Sequence, residues 1–205
     1  MRASAPLQIL VTLAFCLLTF AETTYAQDLR QAEAALSRGD FTQAHKLAQR
    51  SIESGVHTAA QLVPAYRVLA VASARLGDLD AARLAFISAL GLAPSFRLEG
   101  DNSAEVRSPY MEARGFWSVY DKPLSVSVTI ADSKTALVAE VSDPAHLSVR
   151  VLVRARTDRQ EAFVEMVTPS TDRLVLPFKG LHAGQLEYVV ALLDEYGNRD
   201  RKSVV

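Results

Sequence analysis

The chain has 205 residues, a formal net charge of −1 and 49% hydrophobic residues. This near balance of charge disfavours nucleic acid or an anionic membrane surface as the main partner, because both select strongly basic proteins. The length is sufficient for one large or two small packed domains.

The amino terminus has the pattern of a cleavable secretory signal peptide over residues 1–26. Arg2 supplies the positive charge, residues 7–20 form an almost uninterrupted apolar run, and Thr24-Tyr25-Ala26 places small residues where a signal peptidase needs them. The run is too short for a membrane-spanning helix, which needs about 20 predominantly apolar residues. We therefore predict export, with cleavage after Ala26.

The predicted cleavage removes Cys16, the only cysteine of the chain. Phe15 stands directly before it, where a lipoprotein signal needs a small residue, so we do not predict lipid attachment. The mature protein then contains no disulfide, even in an oxidising compartment. We predict a periplasmic or secreted protein that is not inserted in the membrane after cleavage.

The remaining chain changes character near residue 120. Residues 27–119 are rich in Ala, Leu and Arg, whereas residues 123–205 are rich in Val in alternating patterns. Helical patterns followed by strand patterns are typical of α+β proteins or of two separate domains. We predict an α+β multidomain protein with a helical domain over residues 27–119 and a strand domain over residues 123–205.

A short internal repeat marks the helical region. Residues 35–44 match residues 74–82, and each segment has a Gly-Asp pair between two helical patterns. Glycine is suited to end a helix in the left-handed conformation, and aspartate is suited to cap the next helix. We predict that Gly39 and Gly77 end helices and that the aspartates after them cap the following ones.

The second copy resembles the tetratricopeptide repeat, a helix-turn-helix unit. The positions that match the family's pattern are Leu69, Ala70, Ala82, Phe86, Ala89 and Pro94. Ser73 departs from the pattern, because the family usually has tyrosine there, and the first copy is a weaker match with extra residues around 55–58. The resemblance implies a short α-solenoid of two helix pairs.

Two helix pairs bury little apolar surface alone, so a third helical region is expected to cover them. Residues 103–117 supply it, because their apolar residues recur on one helical face. Those residues are Val106, Tyr110, Ala113 and Trp117. Ser103 is suited to the N-cap, and Pro109 either kinks this helix or marks a later start.

Seven segments of the second half alternate between apolar and polar side chains. They are residues 125–130, 137–141, 149–154, 162–167, 174–178, 186–193 and 202–205, and turn residues separate them. Period-two alternation is typical of half-buried antiparallel strands. Seven short strands at this spacing predict a seven-stranded antiparallel β-sandwich.

The end of this half carries its most specific pattern, Y-x-V followed by D-x-x-G-N. The residues that form it are Tyr188, Val190, Asp194, Gly197 and Asn198. The pattern resembles that of bacterial fibronectin type III and immunoglobulin-like domains. By this resemblance, Tyr188 ties down a corner of the sandwich, and Asp194 to Asn198 form the tight connection to the last strand.

No arrangement of reactive side chains stands out. The sequence contains no G-x-S-x-G elbow, no phosphate-binding glycine loop and no H-E-x-x-H motif. His45, His57, His146 and His182 lack dense metal-ligand spacing, so we interpret them as solvated or capping residues. We predict a non-enzymatic protein without cofactor or metal; an enzyme with catalytic residues scattered in sequence is the least favoured alternative.

Three polar residues near the carboxyl terminus permit two interpretations. Asp194, Asn198 and Asp200 would suit a calcium ion at one end of the sandwich. Aspartate and asparagine are also the residues that close turns through their own side chains. We prefer turn chemistry.

The arginines of one strand also permit two interpretations. Arg150, Arg154 and Arg156 lie on one face of the strand and would suit an anion. We prefer a solvated face on which acids such as Glu161 and Glu165 pair across strands.

The tetratricopeptide resemblance supplies a candidate partner-binding face. Such arrays stack helix pairs into a concave surface that binds peptides or partner helices, and the first helix of each pair lines it. The matching positions are Leu29, Glu33, Leu36, Arg67, Val71, Ala74 and Arg75. Alternatively, the same surface packs the third helix or the sandwich, because so short an array has little groove.

Two interaction-type modules without a catalytic set indicate a binding function. We predict an exported protein–protein interaction or adaptor protein whose partner is a protein of the bacterial cell envelope. The alternative is a ligand-binding module that holds a glycan, a peptidoglycan fragment or calcium at the sandwich loops. The short connection between the halves also predicts a firm contact through Phe116 and Trp117.

Overall fold

The structure is a computed structural model that describes residues 25–55, 57–100, 103–120, 124–131, 136–157, 163–177 and 186–204. For residue 157 and residues 199–204 it describes the backbone alone. Most of the predicted signal peptide, together with Glu161 and His182, lies outside these residues.

Five helices occupy the described part of the first half. They are α1 over residues 25–37, α2 (Phe41–Glu53), α3 (Ala59–Arg75), α4 (Leu79–Leu92) and α5 (Ala104–Ser118). From α2 onward each helix packs against the next, and α5 also contacts α3. Between α1 and α2, Ala32 and Ala35 share a core with Ala44 and Ala48, all without exposed surface. These small side chains let the helix axes approach closely.

The two Gly-Asp pairs form the same turn between helices. Gly39 and Gly77 have φ angles of +79° and +86°. In each turn the aspartate N–H donates to the carbonyl oxygen five residues earlier at 2.9 Å, which is the Schellman arrangement. The carboxylates of Asp40 and Asp78 then accept the backbone N–H three residues on, at 3.1 and 3.0 Å. The predicted roles of both pairs are confirmed.

The third helical region is confirmed as α5. Ser103 occupies its N-cap position, and Pro109 lies inside the helix, so the helix does not start later. Val106 and Ala113 have no exposed surface and Tyr110 has 6%, as the predicted apolar face requires.

Among the described residues, seven strands follow and form two antiparallel sheets. They are β1 (Ser125–Ile130), β2 (Ala136–Ser142), β3 (Arg150–Thr157), β4 (Val164–Pro169), β5 (Arg173–Pro177), β6 (Leu186–Leu193) and β7 (Arg199–Val204). One sheet has the order β1-β2-β5 and the other the order β4-β3-β6-β7. Helices thus precede two small antiparallel sheets, which confirms the predicted α+β class.

A single apolar core joins the two sheets. Leu137 of the three-stranded sheet and Val151, Val153 and Val190 of the four-stranded sheet belong to it, each with at most 1% of its surface exposed. Because successive side chains of a strand point to opposite faces, the valines of β3 turn inward and Arg154 turns outward.

Strand register determines how the outward arginines of β3 are paired. Arg154 lies opposite Glu165 of β4, and Arg156 lies opposite Glu187 of β6. The shortest nitrogen–oxygen distances are 3.4 and 2.6 Å. Both guanidinium groups also lie near the ring of Phe163, at 5.4 and 4.5 Å from its centre. The predicted cross-strand pairing with Glu165 is confirmed.

The helices rest on the sheets at a joint formed by Trp117 and the loop between β2 and β3. The indole Nε1 donates to the carbonyl oxygen of Ile87 at 2.9 Å. Trp117 and Leu147 of the loop converge on Gly91 of α4, where a Cβ would lie 2.9 and 2.8 Å from their nearest carbons. Asp143 fixes the loop by accepting the Leu147 N–H at 2.9 Å. The predicted contact through Trp117 is present.

A pair of glycine substitutions tests this joint. Gly91 and Gly115 both lie inside helices, where alanine is favoured over glycine by about 0.5–1 kcal/mol. At Gly91 the new methyl would displace Leu147 or Trp117, at a packing cost of about 1–3 kcal/mol. Around Gly115 nothing lies within 4 Å. We expect Gly115→Ala to raise and Gly91→Ala to lower the free energy of unfolding in urea; equal changes would contradict the joint.

Candidate binding cleft

The apolar members of the predicted partner face lie inside the helical array. Val71 and Ala74 have only 5% and 2% of their surface exposed, and they share a core with α4 and α5. Leu29 and Leu36 are partly buried against the cores around α1 to α3. For Val71 and Ala74, the alternative that this surface packs the third helix is the one observed.

The charged members of that face contact other residues of the chain. Arg67 Nη2 lies 3.1 Å from Glu33 Oε1, which joins α3 to α1. The guanidinium of Arg75 lies 5.9 Å from the ring centre of Phe41. The structure thus places the seven predicted residues on α1 and α3, and a partner-binding role for them stays a prediction.

The turn between β6 and β7 is closed by Asp194. Its Oδ1 accepts the N–H groups of Tyr196 and Asn198 at 2.9 and 2.8 Å, and its Oδ2 accepts the Asn198 side-chain amide at 2.9 Å. Gly197 completes the turn with a φ of +84°. For Asp194 and Asn198 the preferred turn interpretation is confirmed; the side chain of Asp200 lies outside the described residues.

Asn198 also docks this turn onto the helices. Its side chain is 2% exposed, its Oδ1 accepts the His57 N–H at 3.0 Å, and its Nδ2 donates to the Ile52 carbonyl oxygen at 2.9 Å. Gly55 approaches so closely that a Cβ there would lie 2.5 Å from the Tyr196 carbonyl oxygen. Gly55 and His57, two of the extra residues of the first repeat copy, therefore contact the turn.

Beside this docking point, a cleft of about 250 Å³ opens between α2, α3, α4 and the β6–β7 turn. Ile52, Leu69 and Ala81 give it apolar lining, and the partly buried Tyr66 also lines it. Both the helical half and the sheet half contribute walls. The cleft therefore exists only while the turn is docked.

Polar groups line the rest of this cleft. Gln49, Glu53, Glu195 and Tyr196 are exposed and lie at its mouth, where Gln49 Nε2 donates to Glu53 Oε1 at 2.7 Å. Ser73 has no exposed surface, and its hydroxyl has no hydrogen-bond partner within the described chain. An unsatisfied buried hydroxyl costs about 1–3 kcal/mol.

The two tyrosines of the cleft lie in a negative field. Burial raises the pKa of Tyr66 well above its usual range, and the carboxylates of Asp194 and Glu195 raise it further. Desolvation, followed by the charges of Glu195 and Glu53, raises the pKa of Tyr196. Desolvation is the largest cause of both shifts, and the carboxylates that add to it give the cleft a negative potential that suits a cationic ligand.

The histidines take different places. His45 lines the cleft, whereas His57 is 3% exposed and thus buried rather than solvated. His57 Nε2 lies 2.8 Å from Ser54 Oγ, whose hydroxyl donates to the Ser51 carbonyl oxygen at 2.7 Å. Because the Ser54 hydroxyl proton is used in that bond, the N–H at His57 Nε2 is the donor to Ser54 Oγ. The contact is a capping interaction at the end of α2 and does not have the geometry of a nucleophile with its base.

The end of the predicted signal peptide packs on α3. Tyr25 is 5% exposed, its ring centre lies 4.1 Å from that of His57, and its hydroxyl donates to the Gln61 carbonyl oxygen. Burial, with a smaller contribution from Glu33, raises the pKa of Tyr25 to about 12. Cleavage after Ala26 would remove these contacts and open the surface beside His57.

Comparison with known proteins points to no function, so the chemistry of this cleft is the basis for one. No protein-family model, no curated protein and no solved structure matches the chain. Within the described ranges, no group of three or more His, Cys, Asp or Glu side chains is placed to hold a metal ion. Nor is any described helix both long enough and apolar enough to cross a membrane.

Sequence patterns point to one wall of the cleft and miss the others. The D-x-x-G-N pattern marks the turn that carries Glu195 and Tyr196. Gln49 and Glu53 belong to the polar face of an amphipathic helix and have no local distinction. The extra residues before α3 are a further signal. Residues inserted into a repeat are not required for the packing of its helices, so they are candidates for contacts with another part of the chain.

Proposed function

We propose that the protein is a non-enzymatic, exported protein–protein interaction or adaptor protein of the bacterial cell envelope, and that it binds an envelope protein at this cleft. The observation that carries the proposal is the cleft that both halves build, which has apolar walls and the exposed carboxylates of Glu53 and Glu195 at its mouth. Concave sites with apolar lining and a few polar groups are typical of binding sites.

Two resemblances support a binding role. The matching turns at Gly39 and Gly77 suit a tetratricopeptide-like solenoid of two helix pairs capped by a third helical region. The two sheets with their common core, and the turn closed by Asp194, suit a seven-stranded immunoglobulin-like or fibronectin type III-like sandwich. Tyr188 packs against that core, as a corner tyrosine would. Both architectures serve recognition in many unrelated proteins.

Ser54 and His57 are a serine and a histidine in contact, but their hydrogen bonds do not suit catalysis. Ser54 and His57 come within hydrogen-bond distance, but the Ser54 hydroxyl is bonded to a helix carbonyl. A serine nucleophile needs the opposite arrangement, in which the ring accepts the hydroxyl proton.

A ligand-binding module is the second candidate, because the β6–β7 turn forms one wall of the cleft. A glycan or a peptidoglycan fragment would then replace the partner protein. Calcium is less suited to the turn, since both oxygens of Asp194 already accept N–H groups. A rise in melting temperature with soluble peptidoglycan fragments, in the absence of any protein adduct, would favour this candidate.

Site-specific photocrosslinking in the producing bacterium tests the proposal. The crosslinking residue p-benzoylphenylalanine replaces Gln49 at the mouth of the cleft or, as a matched control, Thr129, which is exposed on β1. We expect one adduct of defined mass from position 49 in the envelope fraction and none from position 129. The same adducts from both positions, or a monomer from both, would contradict binding at the cleft.

A further inference from the structure

We infer that the cleft receives an arginine side chain of the partner protein, an inference that rests on the proposed function. Size is the first reason. The volume of about 250 Å³ lies below the range of about 300–1,000 Å³ that is typical of sites for whole small molecules. A single long side chain inserted from a neighbouring chain fits a cleft of this size.

The lining suits a side chain that is apolar along its length and charged at its end. Ile52, Leu69 and Ala81 offer apolar surface for methylene groups. Arginine and lysine bury their aliphatic stems against such surface and keep the charged head among polar groups.

Charge selects a cation over an anion or a neutral group. Glu53 and Glu195 both line the cleft, and within the described part of the chain no lysine or arginine does. Among the described residues neither acid forms an ion pair, in contrast to Glu165 and Glu187 on the sheet. A cationic head would therefore find two carboxylates that are not already neutralised.

The number and spread of acceptors favours arginine over lysine. Besides the two carboxylates, the side-chain amide oxygen of Gln49 and the hydroxyl of Tyr196 are acceptors on exposed residues of the cleft. A guanidinium carries five N–H donors in a planar fork and reaches separate acceptors at once, whereas an ammonium is a compact point charge. The guanidinium is also the more weakly hydrated of the two and so is easier to bury.

The aromatic residues add a third kind of contact. Tyr66 and Tyr196 both line the cleft, and a guanidinium stacks on phenol faces through cation–π attraction.

Peptide binding to the full chain tests the inference. The probes are acetyl-Gly-Arg-Gly-amide and its counterpart with citrulline, which has nearly the same shape as arginine but no charge. Binding is measured by NMR of the protein's backbone amides. We expect the arginine peptide to shift the amides of Gln49, Glu195 and Tyr196 and to bind about tenfold more tightly than the citrulline peptide, as loss of charge-assisted hydrogen bonds implies. Equal binding of the two peptides would overturn the inference.

Charge-neutral variants locate the effect. E53Q/E195Q removes the two carboxylates of the cleft, and E105Q/E140Q removes two exposed charges elsewhere as the matched control. We expect about tenfold weaker binding of the arginine peptide to the first double variant and less than twofold change for the second. Equal weakening in both would show that net charge, and not the cleft, attracts the peptide.

The outcomes separate this inference from the proposed function. If the partner still crosslinks at position 49 but the arginine peptide does not bind, the inference is wrong and the proposed function stands. If the arginine peptide binds at the cleft but no partner crosslinks there, the proposed envelope partner is wrong. Free arginine that binds as tightly as the peptide would replace a protein side chain with a small cationic ligand.

Discussion

Gly55→Ala is expected to lower the free energy of unfolding by about 2–4 kcal/mol. Gly55 has a φ of +77°, a left-handed backbone that costs a residue with a Cβ about 1 kcal/mol. The larger part comes from contact, because the new methyl would lie 2.5 Å from the Tyr196 carbonyl oxygen. That oxygen belongs to backbone, so the docked turn itself would have to move.

Two glycines of the repeat are matched controls for this substitution. Gly39 and Gly77 have φ angles of +79° and +86°, close to that of Gly55, but nothing lies within 4 Å of a Cβ at either position. Gly39→Ala and Gly77→Ala should therefore lose only about 1 kcal/mol. The difference between Gly55→Ala and these controls, measured by urea unfolding, isolates the close approach of the turn.

A second readout connects the substitution to the cleft. Displacing the turn moves Glu195 and Tyr196 away from α2, so Gly55→Ala should also weaken crosslinking of a partner at position 49. The two control variants should leave it unchanged. A Gly55→Ala loss no larger than that of the controls would show that the turn is not held against the helices.

Short-range chemistry explains the parts of the fold that are predictable from sequence. The left-handed glycine and the capping aspartate act within a few residues, so the turns at Gly39 and Gly77 follow from local preferences. The alternation in β3 is equally local, because opposite faces of a strand meet different surroundings. These features are set before any long-range contact forms.

Strand ends follow from pairing with neighbours rather than from local pattern. β7 begins at Arg199, although the alternation suggests a start near residue 202. The earlier residues pair with β6 through their backbones, Arg199 opposite Leu193 and Arg201 opposite Ala191. Backbone pairing does not depend on an apolar side chain, so charged residues extend the strand without leaving a hydrophobic signal.

The cleft is a product of contacts between distant segments, which is why sequence patterns indicate one of its walls and not the whole. Ile52 and Asn198 are joined by one hydrogen bond across most of the chain. Val71 and Ala74 of the predicted face are covered for the same reason, since α5 packs on them. Helical periodicity identifies an apolar face but does not say which element will cover it.

Asn198→Ala is expected to be the most destabilising single substitution at the junction, at about 3–5 kcal/mol. The substitution leaves the buried N–H of His57 and the carbonyl oxygen of Ile52 without the partners that Asn198 now provides at 3.0 and 2.9 Å. It also removes the amide that Asp194 Oδ2 accepts. Gln31→Ala, an exposed amide on α1, should change stability by less than about 0.5 kcal/mol.

N198D separates the loss of hydrogen bonds from the loss of side-chain volume. The substituted carboxylate keeps an acceptor for the His57 N–H but turns an oxygen toward the Ile52 carbonyl and the Asp194 carboxylate. Burial and that like charge raise its pKa in the folded chain above the unfolded value, so the folded state is penalised while the group is ionised. We expect N198D to be unstable at pH 7 and to recover part of the loss as the pH falls and the group takes up a proton.

Urea unfolding at pH 7 and pH 5, with fluorescence of Trp117 at the joint, measures this recovery relative to Asn198→Ala. Equal pH dependence in the two variants would mean that the Asn198 amide does not make these buried contacts.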